Sequence, residues 1–307
     1  MNVIGIDTSN YTTSIAWYDG TTGVNCSKLL PVKMGELGLR QSDAVFAHTK
    51  SLPELSGRLF SDIRAEYIGA IGVSTRPRAV EGSYMPCFMV GYSHAKLLSD
   101  VLGVPLIEVS HQQGHVAASA WSAGRMELMD QPHLAWHLSG GTTELLLVEP
   151  DGRNVVCTKL GGTTDISAGQ LIDRTGQLLG LPFPSGKHLD RLSTQAEQNE
   201  IFRVKCDGGC FSLSGVQNKV QQFHEKHAAP AETAAYALRC VAGAVYRATE
   251  QALVQYPGLP VVFSGGVASN SMLRQIMEPL NPIFAQPQYS TDNAMGVAVL
   301  AHRITGG

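Results

Sequence analysis

The chain opens on an apolar run, Val3–Ile6, a polar stretch "DTSNYTT" and a second apolar run, Ser14–Tyr18. That pattern predicts two strands joined by a tip whose side chains turn the chain and hydrogen-bond to it. The arrangement recurs further on. Leu134–Leu138 and Glu144–Val148 are strand-like, "SGGTT" is the polar bend between them, and "EPDGR" makes a hairpin into Asn154–Leu160. Two such hairpins, each opening one half of the chain, predict a duplicated architecture. Between them, Ser51–Ala65 has helical spacing, with Leu52, Leu55, Leu59, Phe60 and Ile63 apolar. "YIGAIGVS" reads as a buried strand, Met89–Leu102 as a helix, and "VPLIEVS" as another strand. In the second half, Asp165–Leu179 and Ala231–Val254 read as helices, and "LPVVFSGGVASNSMLRQIM" as strand, glycine turn and helix. This alternation predicts an α/β fold with its chemistry on loops at strand ends.

At 307 residues the chain exceeds what one core usually serves, so two lobes are expected. A 44% hydrophobic fraction with 16% charged residues excludes a disordered chain. No run approaches the ~20 apolar residues of a membrane span. The N-terminus lacks a basic region before its apolar run, which argues against a signal peptide. Cys26, Cys87, Cys157, Cys206, Cys210 and Cys240 are scattered, as suits a reducing cytoplasm. Cys206 and Cys210 lack a second Cys/His pair at zinc-ribbon spacing. Net charge is −3 and there is no Lys/Arg tract, so strong independent nucleic-acid binding is not expected; an RNA substrate would need a local patch or a partner.

Three glycine-rich segments are read as turns after strands: Ser139–Thr143, Leu160–Thr164 and Ser264–Val267. Exposed backbone N–H groups, with Ser and Thr hydroxyls, suit phosphate oxygens, especially where a helix follows, as after Gly266. Together they predict a nucleotide cleft between two lobes. The chain has no GxxxxGK[ST] and no GxGxxG, so P-loop and Rossmann binding are disfavoured. His111 and His115 stand four apart, which places both imidazoles on one helix face. By spacing alone the pair is either a metal site or two surface residues.

The order hairpin, hairpin, strand-glycine-helix resembles the actin/hexokinase/Hsp70 ATPase superfamily. Within it, "IGIDTS", "SHQQGH", "HLSGGTTEL", "GGTTDISAGQLIDRTGQLLGLPFPSG", "FSLSGVQNKV", "SGGVASNSMLR" and "STDNAMGVA" stand in the order of the TsaD/Gcp family, the threonylcarbamoyl-adenosine synthases once called O-sialoglycoprotein endopeptidases. The resemblance runs from about residue 3 to 300. It implies a duplicated actin-like fold: residues 1–110, rejoined by about 292–307, as one lobe, and 111–291 as a metal-binding helix followed by the other. It implies a metal site of His111, His115 and Asp292, a mixed N/O set suited to iron(II), zinc or manganese. It places His137, Leu138, Ser139, Gly140 and Gly141 in a phosphate loop, Asp173 at the ribose, Gly186 in a glycine turn, and Gly265, Gly266 and Asn270 at the adenosine, with Asp7 and Ser9 in the first phosphate hairpin. Without the resemblance, Asp173 reads as a salt-bridging surface carboxylate and Asn270 as a helix N-cap.

The implied activity is acyl transfer from threonylcarbamoyl-adenylate to adenosine in tRNA, with ATP or the adenylate as nucleotide ligand, a divalent metal, TsaB-like and TsaE-like partner proteins, and a cytoplasmic setting. Four segments depart from the family pattern. The tip Asp7–Thr13 lacks the two acidic residues of "ETSCD(D/E)T". "GGVVPE" and its histidine helix give way to "GLRQSDAVFAHTKSLPEL", "GPGL" to Arg76–Ser83, and "SGLKT" to Ser214–Asn218, which loses the lysine. The metal and nucleotide motifs persist while the acceptor side differs. Two other readings therefore stand: a carbamoyl or phosphoryl transferase with another acceptor, and a non-catalytic nucleotide-binding partner protein. A protease is disfavoured, because the HxxxH lacks the Glu of HExxH.

Overall fold

The computed structural model describes residues 1–9, 11–31, 39–63, 67–197 and 199–306, so Asn10 of the first tip and Ala65 of the expected helix lie outside the described residues. The apolar runs become β1 (Asn2–Ser9), β2 (Thr12–Tyr18) and β3 (Gly23–Leu29), followed by α1 (Gln41–Asp62), β4 (Ile68–Arg76), α2 (Phe88–Leu102), β5 (Leu106–Ser110) and α3 (His111–Ser122). Then come β6 (His133–Leu138), β7 (Thr143–Asp151), β8 (Asn154–Thr163), α4 (Ala168–Leu178) and α5 (Gly186–Ser193). A hairpin of β9 (Cys206–Asp207) and β10 (Cys210–Phe211), α6 (Ser214–His227), α7 (Pro230–Gln255), β11 (Val261–Ser264), α8 (Ser271–Met277), β12 (Ile283–Phe284) and α9 (Met295–Thr305) complete the order.

The duplication is visible in the sheets. The first runs β3-β2-β1-β4-β5, with β2 antiparallel and β4 parallel to β1. The second contains the same order, β8-β7-β6-β11-β12, with β7 antiparallel and β11 parallel to β6, and adds β10-β9 beyond β8.

Two compact units result: residues 1–131, 149–157 and 292–307, and residues 132–148 and 158–291. The sequence-based boundary put the His111 helix with the second lobe. It lies in the first unit, because α3 packs on α9 through small residues: a side chain on Gly296 would overlap the Gly114 carbonyl. The first unit is cored by Ile4, Ile6, Ile15, Leu55, Leu59 and Ile71, and the second by Trp136, Leu171, Phe211, Val245 and Phe263. Among the described residues no helix is long and apolar enough to cross a membrane.

Three local expectations are corrected. Leu160–Thr164 is not an exposed turn, since Gly161 and Gly162 lie inside β8. The Gly162 N–H donates to the Gly209 carbonyl at 2.9 Å and the Thr164 N–H to Phe211 at 2.8 Å, so neither faces a phosphate. These glycines serve close backbone approach instead: side chains there would overlap the carbonyls of Gly209 and Thr143. The helix expected from Asp165 starts at Ala168, because Ser167 and Gln170 form a reciprocal capping box. The helix expected from Ser51 starts ten residues earlier, at Gln41.

Asp165 caps another helix. Its carboxylate accepts from the backbone N–H of Leu213 and Ser214 and from the hydroxyls of Ser212 and Ser214, at the start of α6. Burial pushes its pKa up, but these four donors outweigh it and hold the carboxyl well below the usual carboxylate range. Asp165→Ala is expected to lower stability at neutral pH by about 0.5–2 kcal/mol, the scale of a lost cap on an exposed group. The sign of the pH dependence follows. A depressed folded-state pKa contributes stability above the unfolded value near ~3.9, lost as pH falls through the folded value. Denaturant unfolding of both proteins at pH 7 and at pH 2–3 should show the gap narrowing in acid; a constant gap would refute the role.

Candidate functional site

The α3 start is set by its own sequence. Ser110 Oγ accepts from the Gln113 N–H at 3.2 Å, and Gln113 Oε1 accepts from the Ser110 N–H at 2.8 Å, a capping box that makes His111 the first helical residue. His115 follows one turn on. Asp292 arrives from the segment before α9, where Asn293 Oδ1 accepts from the Met295 N–H at 3.1 Å and the Gly296 N–H at 3.4 Å. The Gly114–Gly296 approach then holds α3 and α9 together.

The outcome is convergence. His115 Nε2 lies 3.0 Å from His111 Nε2 and 3.3 Å from Asp292 Oδ1, and His111 Nε2 lies 3.5 Å from the same oxygen. The three side chains keep 21%, 9% and 29% exposure for His111, His115 and Asp292, enough to admit a ligand. Donors bonded to one ion at ~2.0–2.2 Å, with angles of 90–110°, stand about 3.0–3.5 Å apart, so the set fits a divalent cation. Two imidazole nitrogens this close need a proton or a metal ion between them. Burial disfavours charge on His111, yet Asp7 and Asp292 outweigh it and raise its pKa well above the imidazole range. Burial likewise pushes Asp292 up, but both histidines hold it well below the carboxylate range. The pocket therefore favours a positive charge between these groups.

Asp7 departs from the expectation of a phosphate ligand. Its side chain is fully buried, and Oδ1 accepts from Ser74 Oγ and lies 3.1 Å from His111 Nδ1. A second anion against this carboxylate would be repelled. Ser9 is also buried, and its Oγ, like Asp7 Oδ2 and His48 Nε2, has no partner among the described residues. Thr12 Oγ1 donates to Asp292 Oδ2 at 3.3 Å, and Thr13 Oγ1 lies 2.8 Å from Nδ1 of the buried His48. Ser74, Thr12 and His48 were not anticipated. Only His48 left a signal, since it continues the Leu52, Leu55, Leu59 ridge at helical spacing.

The second unit carries the other expected residues. Ser139–Gly141 forms a tight loop seated on the start of α4: the Ser139 N–H donates to the Thr142 carbonyl at 2.8 Å and Ser167 Oγ to the Gly140 carbonyl at 2.6 Å. Gly140 and Gly141 are exposed with open space where side chains would stand. Leu138 does not fit its expected role, because its side chain is fully buried in the core. His137 Nδ1 faces Ser264 Oγ at 3.5 Å. Gly265 packs where any side chain would strike the Leu138 carbonyl, which sets the exposed Gly266 beside that loop. Asn270 is the N-cap of α8, accepting from the Leu273 N–H at 3.0 Å, and its amide donates to Asp190 at 2.8 Å. Asp190, unanticipated, also accepts from the Ser271 N–H and hydroxyl. Asp173 makes no bond to Arg174 or Arg191. It accepts from the Ser185 N–H at 2.8 Å, next to Gly186, and burial raises its pKa. Loop 139–141, Gly266, Asn270, Asp173 and Gly186 thus group around α4, α5 and α8.

Comparison with known proteins gives the same family. A family model described as "TsaD: tRNA N6-adenosine threonylcarbamoyltransferase" matches residues 38–299. Curated proteins of that name from Carboxydothermus hydrogenoformans and Thermosipho africanus are 32% and 30% identical, each over 99% of this chain and 93% and 94% of their own lengths. Among solved structures, component A of Acidaminococcus fermentans (R)-2-hydroxyglutaryl-CoA dehydratase matches with TM-score 0.59 at 16% identity, covering all of both chains. A ROK hexokinase from Thermus thermophilus matches with TM-score 0.54 at 14% identity, also over all of both chains. These likenesses show the actin-like ATPase fold.

Proposed function

The chain belongs to the family of tRNA N6-adenosine threonylcarbamoyltransferases, and we propose that it transfers a threonylcarbamoyl group from threonylcarbamoyl-adenylate to adenosine in tRNA, with a divalent cation on His111, His115 and Asp292. The observation that carries this reading is the convergence of those three donors within 4.8 Å of one another. Retention of such a set disfavours a non-catalytic partner protein.

When bound, a divalent cation supplies Lewis-acid stabilisation of charge developing on oxygen. Such an ion would take the Nε2 lone pairs of the two imidazoles and one oxygen of Asp292, while Thr12 fixes the second oxygen of Asp292. That mixed set suits iron(II), zinc or manganese. In the second unit, the open backbone of Gly140, Gly141 and Gly266 is the proposed cradle of the phosphate, with Asp173 and Asn270 for the nucleoside. The acyl-adenylate is already activated. Attack of the adenosine amine on the carbamoyl carbonyl forms the new C–N bond, the bond to phosphate oxygen breaks, AMP leaves and the amine loses its proton. No nucleophilic side chain is required. TsaB-like and TsaE-like partners, implied by the family resemblance, belong to the same reading.

The test is direct. Chelated protein, incubated with threonylcarbamoyl-adenylate and unmodified tRNA, should be inactive and recover on adding iron(II), zinc or manganese. Transfer at full rate without metal would sink the metal-dependent mechanism. The hairpin tip, which lacks both family acids, favours one second reading, transfer to a different acceptor. Metal-dependent consumption of the adenylate without modification of tRNA would identify it.

A further inference from the structure

Asp7 stands outside the ligand set, yet it is tied to it. Among the described residues, the donors that converge are those of His111, His115 and Asp292. The Asp7 carboxylate lies on the far side of the His111 ring, at Nδ1, 3.1 Å away. Ser74, on β4, donates to the same oxygen and holds the carboxylate in place. A metal-ligating histidine donates the N–H of the ring nitrogen turned away from the ion to a carboxylate placed in this way, which assigns that proton to Nδ1 of His111. The other nitrogen, Nε2, is then the one that faces His115 at 3.0 Å and Asp292 at 3.5 Å.

Charge points the same way. Asp7 is fully buried, and its Oδ2 finds no hydrogen bond among the described residues. A buried carboxylate with one oxygen unsatisfied is tolerated where a nearby positive charge compensates it. Asp7 and Asp292 together carry two negative charges, and the two imidazoles are neutral when they act as ligands. A dication at Nε2 makes the group neutral.

We propose that Asp7 is a positioning residue of the metal site: it fixes His111 in the tautomer that turns the Nε2 lone pair toward the ion, and it raises the basicity of that ligand. The proposal rests on the metal reading above. It assigns to Asp7 a role in ion affinity in place of phosphate binding. Carboxylates behind ligand histidines act in this way generally, and their loss weakens metal binding by roughly 10–100-fold.

The experiment uses the full chain with cobalt(II) as optical probe and zinc as NMR-silent ion. Wild type, Asp7→Asn and Ser74→Ala are titrated with cobalt(II). Asp7→Asn should bind about 10–100-fold more weakly, and Ser74→Ala more weakly by a smaller factor, with thermal midpoints of the metal-free proteins recorded beside them. In zinc-loaded wild type, ¹⁵N imidazole shifts should show His111 protonated at Nδ1 and coordinated through Nε2. A folded Asp7→Asn with wild-type cobalt affinity, or His111 coordinated through Nδ1, overturns the proposal. If Asp7→Asn does not fold, Ser74→Ala and the wild-type spectrum decide it. Folded wild type that binds no cobalt defeats this proposal and the metal reading together. Metal binding without transfer defeats the proposed function and leaves the role of Asp7 standing.

Discussion

His115→Ala should abolish metal-dependent transfer while leaving the chain folded. His115 Nε2 is the donor nearest to both of the others, 3.0 Å from His111 and 3.3 Å from Asp292. Removing it leaves two ligands from a set of three. Removal of a ligand's supporting partner alone weakens binding roughly 10–100-fold, so loss of the ligand itself should exceed about 100-fold. Transfer should fall by at least the ~10²–10³-fold seen when one electrostatic stabiliser is removed from an acyl-transfer site. The thermal midpoint supplies an independent readout. Metal at ~100 times its dissociation constant stabilises the native state by about 2.7 kcal/mol. Wild type should therefore melt higher when metal is added and His115→Ala should not respond. A variant that still shifts with metal, and still transfers, would show that the three side chains are an ordinary surface network.

The second large effect concerns packing. Gly296→Ala places a methyl group inside the Gly114 carbonyl and against the Ala118 backbone, on the neighbouring helix. Neither obstacle is a flexible side chain, so α9 has to move away from α3. Overpacking of this kind costs about 1–3 kcal/mol, and a backbone obstacle belongs at the upper end. For a chain of this size that corresponds to a fall of roughly 3–5 °C in melting temperature. Metal affinity should fall too, since Asp292 precedes α9 and both histidines lie on α3. Gly57→Ala is the control: Gly57 is an exposed helical glycine with open space around its Cβ position, and alanine there should stabilise by up to about 1 kcal/mol. Identical melting of Gly296→Ala and wild type would refute the account.

Much of this was legible in advance, for particular reasons. The hairpin strands announce themselves as apolar runs on either side of a polar tip, buried along nearly their whole length, and the repeat of that unit pointed to a duplicated architecture. His111 and His115 were visible as a pair because helical spacing is local. Their partner Asp292 came only through resemblance, because nothing local links residues so far apart in sequence. The errors have a common cause. Gly161 and Gly162 looked like a phosphate turn, but glycine also marks close strand packing, and sequence does not separate the two uses. Leu138 and Asp7 sat in the right motifs yet point into the interior. Whether a motif residue lends its side chain or only its backbone is decided by the pleat of the strand and by what packs behind it. Asp165 and Asp190 were missed as caps because each serves a helix remote from its own place in the chain.

The division into units carries a consequence for how the protein is made. The first unit is interrupted: the whole of the second is synthesised after His111 and His115 and before Asp292. A growing chain thus presents a two-histidine half-site for more than half of its synthesis, and a half-site holds a metal weakly. With the proposed ion on all three residues, tight loading would wait until α9 has emerged and docked, and metal retention would report on completed folding of the first unit. A variant whose α9 packs poorly on α3, such as Gly296→Ala, should accordingly leave the cell metal-poor even where it is fully soluble.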